Sequence, residues 1–187
     1  MKKIFIKAGL LMAIVFSLAA CNNTETDSKE LAEDSNEAKF DTKAGENQAE
    51  FVVDAVASNS AEVNLAQLAI QRSGNAEVKE FAAMLEKEHT TLTNELKTLA
   101  ESKAITVPVE LSEDAKEDYK ALSDTKPENF DKKWAKEMVD KHESTIDKYE
   151  KEWKQTTDPE LKQWIETTLP KIKAHHEKAK ALHDKLK

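Results

Sequence analysis

Cysteine is all but missing: the 187-residue chain has one, Cys21. No intramolecular disulfide can form from a lone thiol. If Cys21 is acylated, the mature chain also loses cysteine nucleophiles, thiolate metal ligands and thiol redox chemistry. Glycine (3) and proline (4) are scarce, so little interrupts a helix. Aromatic residues make up 6%, which requires an aliphatic core. The longest uncharged apolar run, Ala8 to Leu18, is too short for a membrane span of about 20 residues. Positive charge is also in deficit, with a formal net charge of -8 that deepens if Lys2, Lys3 and Lys7 are removed. That balance argues against nucleic acid or anionic headgroups as partners of the folded domain.

What is present starts with an address. Lys2, Lys3 and Lys7 precede the apolar run, and Leu18-Ala19-Ala20-Cys21 follows it. This order resembles a bacterial lipoprotein signal, in which small residues precede a cysteine that is lipidated. The resemblance implies a signal peptide over 1–20 and a lipid anchor to the membrane at Cys21. Asn22 stands where aspartate would imply retention in the inner membrane, so it points to the outer membrane of the cell envelope. Residues 21–46 are polar and acidic, and that composition predicts a flexible tether.

From residue 47 to 187 the pattern is helical. The first helix runs to about Arg72 and stops at Ser73-Gly74, with Gly74 suited to the cap. Asn75 can cap a second helix reaching about Lys103. A segment broken at Pro108 follows, then a short helix from Ser112 to about Asp124. A third long helix follows Pro127 and extends to about Gln155. Asp158-Pro159-Glu160 starts the fourth, which contains Pro170 and is expected to kink or rearrange locally there. The expected fold is all-α: a four-helix bundle with a short extra helix between the second and third, in up-down-up-down or ferritin-like crossover order.

Steps of three and four residues trace an apolar seam along each long helix. The first passes Phe51, Ala55, Ser58, Glu62, Leu65 and Ala69; the second passes Leu85, His89, Leu92 and Leu96. The third passes Ala135, Met138, His142 and Tyr149, and the fourth Ile165, Thr168, Ile172, His175 and Ala179. Each seam thus carries one ionisable residue, Glu62, His89, His142 or His175, near mid-helix. At about 1.5 Å per residue the four lie at a common level in either topology. One carboxylate and three imidazoles suit zinc, iron, copper or manganese. They equally suit a hydrogen-bonded core network that fixes helix register.

Other residues contribute less. Glu86 and His89 form one Glu-x-x-His step, but a di-iron site needs a second, and Val139 and Ile172 occupy the matching positions. Glu86, Glu88 and His176 are candidates for an outer shell. Trp134, Trp153, Trp164 and Tyr149 fit helix packing.

"FAAMLEKEH" (81–89), "NFDKKWAKEMVDKH" (129–142) and "LPKIKAHHEKAKAL" (169–182), together with Glu62, resemble a bacterial envelope family. It is the domain of unknown function numbered 4142, whose members are labelled predicted outer-membrane proteins. The shared pattern of M-x-x-[DE]-H, F-D, M-V-x-x-H and L-P-x-[LI]-x-x-H falls on Glu88-His89, Phe130-Asp131, His142, and Leu169-Pro170 with His175. Glu88 departs from the commoner aspartate, and His176 from the usual leucine. The resemblance covers about residues 48–187 and implies a ferritin-like helical bundle; it implies no activity. Three functions stay open: a metal-binding envelope lipoprotein, a structural lipoprotein that engages an envelope partner, and a ferritin-like oxidase or peroxidase.

Overall fold

The computed structural model describes residues 27–186. The expected signal peptide and the lipidated Cys21 lie outside the described residues. Among these residues there are six helices and no strand: α1 (Ser28–Glu37), α2 (Lys43–Arg72), α3 (Ala76–Ser102), α4 (Glu113–Ser123), α5 (Pro127–Gln155) and α6 (Pro159–Lys185). None is long and apolar enough to cross a membrane.

The starts follow local chemistry. Asn75 accepts from the Glu77 amide at 2.8 Å, Ser112 from Ala115 at 3.3 Å, and Asp158 from Leu161 at 2.8 Å. Each satisfies an amide that the first turn leaves without a helical partner. Pro159 supplies a preset φ behind Asp158.

Two expectations need correction. Part of the predicted tether is helix: α1 folds within it, and α2 begins at Lys43 rather than at 47. Polar residues that suggest a solvated spacer instead hold backbone. Buried Asn36 donates to the Thr106 carbonyl at 2.8 Å and accepts from its amide at 2.7 Å. Ser28 accepts from the amides of Val109 and Glu110, and Asp27 from that of Glu113. Secondly, Gly74 does not take a left-handed cap; Ser73 ends α2 in an extended conformation. α6 continues through Pro170, an exposed residue, so the carbonyl it leaves unpaired four residues back, at Glu166, is on the solvent side.

The left-handed residue occurs instead after α3, where Ala104 has φ 56°. It lets the Ile105 amide reach back to the Ala100 carbonyl at 2.9 Å. An alanine there is strained by its Cβ. Ala104→Gly is expected to stabilise the protein by about 1 kcal/mol, read as a higher urea midpoint, because relief of strain exceeds the added chain entropy.

Connections of three residues, 73–75 and 156–158, join α2 to α3 and α5 to α6 as antiparallel hairpins. Contacts between the hairpins give the topology. On one seam Phe51 meets Tyr149 (ring centroids 5.3 Å), the Leu65 carbonyl meets Trp134 Nε1 (3.0 Å), and Arg72 covers the Phe130 ring (4.8 Å). So α2 and α5 are antiparallel. On the other, Glu77 meets Lys185 (2.8 Å), Glu95 meets Trp164 (3.0 Å) and Lys103 meets Asp158 (2.6 Å), so α3 and α6 are antiparallel too. α3 ends beside the start of α6, whereas α5 starts at the opposite end, beside Arg72. The segment 103–126 therefore runs the length of the molecule. Within it α4 packs on α2 and α5. Arg72 fastens the far end of that segment by donating to the carbonyls of Leu122, Ser123 and Thr125.

The core has two apolar halves. One gathers Leu65, Phe81, Leu85, Phe130, Trp134 and Met138; the other Val52, Leu92, Leu96, Tyr149, Ile165 and Ile172. Between them lies one polar layer.

Candidate metal centre

That layer is Glu62 from α2, His89 from α3, His142 from α5 and His175 from α6. All four are buried, at 2% exposure or less. One ring nitrogen from each histidine lies within 4.8 Å of the others. Glu62 Oε2 lies 3.4 Å from His89 Nε2 and 3.3 Å from His142 Nε2. The four-residue convergence read from the seams is thus present in the fold.

Each imidazole is held from behind. Asn59 donates its amide hydrogen to the Ala55 carbonyl at 2.7 Å, which leaves its Oδ1 as the acceptor for His89 Nδ1–H at 2.6 Å. His142 Nδ1–H donates to the Met138 carbonyl at 2.8 Å. His175 Nε2–H donates to Glu88 at 2.9 Å. These bonds fix the tautomers of neutral rings, and they leave His89 Nε2, His142 Nε2 and His175 Nδ1 as lone pairs facing inward.

The inward atoms have no hydrogen-bond partner. Glu62 Oε2, His89 Nε2, His142 Nε2 and His175 Nδ1 are all buried and unsatisfied. The three ring nitrogens face one another and Glu62 Oε2 faces two of them, four buried acceptors without a partner, an arrangement that costs free energy unless positive charge sits there. A shared proton fits poorly. A charge-assisted N–H···O bond spans about 2.7–2.9 Å, shorter than either Glu62 distance. A tetrahedral ion with ligand bonds of about 2.0–2.1 Å sets neighbouring donor atoms about 3.3–3.4 Å apart. The two Glu62 separations match that edge, and the histidine nitrogens, within 4.8 Å of one another, would close in to reach it.

Electrostatics agree. Burial pushes the His89 imidazole down against the pull of Glu62. Burial, helped by the neighbouring rings, takes His175 from 6.5 to about 4 despite its bond to Glu88. Burial alone would raise Glu62, but His142 and His89 outweigh it and hold the carboxyl below its usual range. Burial thus favours the neutral form of His89 and His175, the form in which an imidazole binds a metal. For the metal-free protein the sign follows from His175. Unfolded, it binds a proton near 6.5; folded, only near 4. Stability is full above pH 6.5 and is lost as pH falls towards 4. The urea midpoint should drop between pH 7 and pH 4.5, with a shallower drop in His175→Gln.

The outer candidates separate. Glu88 touches the site through His175. Glu86 turns away and accepts from Gln67 at 2.8 Å. His176 lies outside the cluster, with Glu177 3.7 Å from its Nδ1. Asn59 was missed, because stepping along the seam lands on Ser58, which is only half-buried, whereas Asn59 is 3% exposed. Its signal was a polar residue one turn before Glu62 on the same face. Tyr149 also hydrogen-bonds Asn59, so the aromatic beneath the site helps to orient it.

No curated protein and no solved structure matches the chain. The family described as "Domain of unknown function (DUF4142)" matches residues 18–182. With that match spanning most of its length, the chain belongs to the DUF4142 family.

Proposed function

We propose that this protein is an envelope lipoprotein whose Glu62, His89, His142 and His175 bind one divalent transition metal ion inside a ferritin-like four-helix bundle. The observation that carries this reading is the set of four buried, unpartnered acceptor atoms, each imidazole locked from outside so that its lone pair faces the others. Three neutral nitrogens and one carboxylate suit zinc, manganese, iron or copper(II). Calcium and magnesium, which favour all-oxygen shells, are disfavoured. The helix order and directions support the bundle assignment, with α2, α3, α5 and α6 as its members and 103–126 as the crossover. The lipid anchor at Cys21 and the outer-membrane location rest on the order of residues 2–22. Incorporation of labelled fatty acid by the wild-type chain, but not by Cys21→Ser, tests them.

Protein purified without a histidine tag should carry close to one equivalent of metal. Glu62→Ala and His142→Ala should carry almost none while staying helical. The competing reading is a metal-free polar network in a structural or partner-binding lipoprotein. A buried carboxylate placed beside two imidazoles is the composition such a network also needs. That reading expects His89→Leu to be tolerated or stabilising, with partner capture unchanged. The metal reading expects His89→Leu to abolish loading.

A further inference from the structure

The four inward donors are sealed from solvent, so a cation needs a way in. Glu62, His89 and His142 have side chains 0–1% exposed. His175 is 3% exposed, but Glu88, which holds its ring, is 40% exposed. Glu88 thus touches both a buried donor, His175, and water.

Glu88 lies on the α3–α6 seam. The hairpin connections tie α2 to α3 and α5 to α6. The α2–α5 seam is covered by α4, where Asp118 reaches across to Lys141 beside His142 at 2.7 Å. The α3–α6 seam has neither a short connection nor a covering helix. At the level of the site the Glu88–His175 bond of 2.9 Å crosses it, with Lys178 on Met84 about one turn away. His175 is also the odd ligand of the set. It offers Nδ1 inward where His89 and His142 offer Nε2, while its Nε2–H already bonds Glu88, so a turn of the ring would break that bond and carry the Nδ1 lone pair outward.

We propose that Glu88 and an outward-turned His175 form an outer capture site through which a divalent transition metal cation reaches the buried donors. Glu88 takes the hydrated cation from solvent, and releases His175 as it does so. The ring turns back with the cation, and the restored Glu88–His175 bond closes the seam behind it. Glu88 is therefore a positioning residue for His175 as well as the first carboxylate the cation meets. This inference rests on the metal-binding reading above.

Loading of Co2+ into metal-free protein, followed by the visible absorption of the bound ion, tests it by rate and by final amplitude. Glu88→Ala is expected to load at least tenfold more slowly, in line with the effect of removing a carboxylate behind a ligating histidine. Glu88→Gln can still accept from His175 Nε2–H, so it should regain the final amplitude and affinity yet stay slow, having lost the charge that attracts the ion. Glu86→Ala, an equally acidic change one seam away, should load like wild type. Wild-type loading rates in Glu88→Ala or Glu88→Gln would overturn the capture site and leave the metal site standing. A wild-type protein that takes up no Co2+, Zn2+ or Mn2+ would overturn both.

Discussion

With zinc at a thousandfold excess over its dissociation constant, the metal-free protein is expected to gain about 4 kcal/mol of stability, and His142→Ala to lose nearly all of that gain. The size follows from linkage. An ion that binds only the folded state stabilises it in proportion to the logarithm of one plus the ratio of its free concentration to its dissociation constant. The unfolded chain offers no preformed site, because the four donors come from four helices separated by up to 113 residues in sequence (Glu62 to His175). His142 is the sharpest single test because it is fully buried and its Nε2 lies 3.3 Å from Glu62. Its removal should also relieve part of the repulsion among the remaining acceptors, so the metal-free variant should lose less stability than a cavity of that size would suggest. A thermal melt with and without zinc reads both effects. Equal shifts in wild type and His142→Ala would place the zinc elsewhere, at surface groups such as His176 or His183.

The second large effect is in the core. Trp134→Ala is expected to cost about 3–5 kcal/mol, the range for emptying a buried aromatic position. Trp134 is fully buried, meets the Phe81 ring edge-on at a centroid distance of 5.8 Å, and donates its indole hydrogen to the Leu65 carbonyl at 3.0 Å. It joins the two hairpins within one apolar half, next to the polar layer. Trp134→Phe keeps much of the volume and loses the hydrogen bond, for a smaller cost of about 1–2 kcal/mol. If both variants unfold at the same urea concentration as wild type, the two hairpins are not held together through this residue.

The long helices were legible because their burial follows a three-four spacing, and Glu62, His89, His142 and His175 stood out as ionisable residues on apolar seams. Their common depth followed from helix rise alone. α1 was not legible. Its buried face is only Ala32 and Asn36, and its fastening to 104–113 is by polar side chains on backbone, a pairing that composition reads as solvated chain. The direction of the second hairpin was equally hidden, since a connection of two dozen residues permits either order. Only the meeting of Arg72 with the carbonyls of 122–125 and of Lys103 with Asp158 shows that the connection spans the molecule. Asn59 escaped because a seam drawn by fixed steps passes one residue to its side. Glu88 was flagged as an outer candidate, but its contact with His175 required knowing that α3 lies against α6.

The polar layer also explains why a seam tolerates histidine where leucine would pack more simply. Each ring receives one outward acceptor: the Asn59 side chain, the Met138 carbonyl or Glu88. What remains costly is the inward half, four acceptors without a donor. A register-fixing network would be expected to satisfy those atoms internally. A metal site leaves them free for the ion.

X-ray absorption at the edge of the bound metal tests this account most directly. It should show three imidazole nitrogens and one carboxylate oxygen at about 2.0–2.1 Å, with no sulfur ligand. A shell made only of oxygens, or one unchanged in Glu62→Ala and His142→Ala, would contradict it.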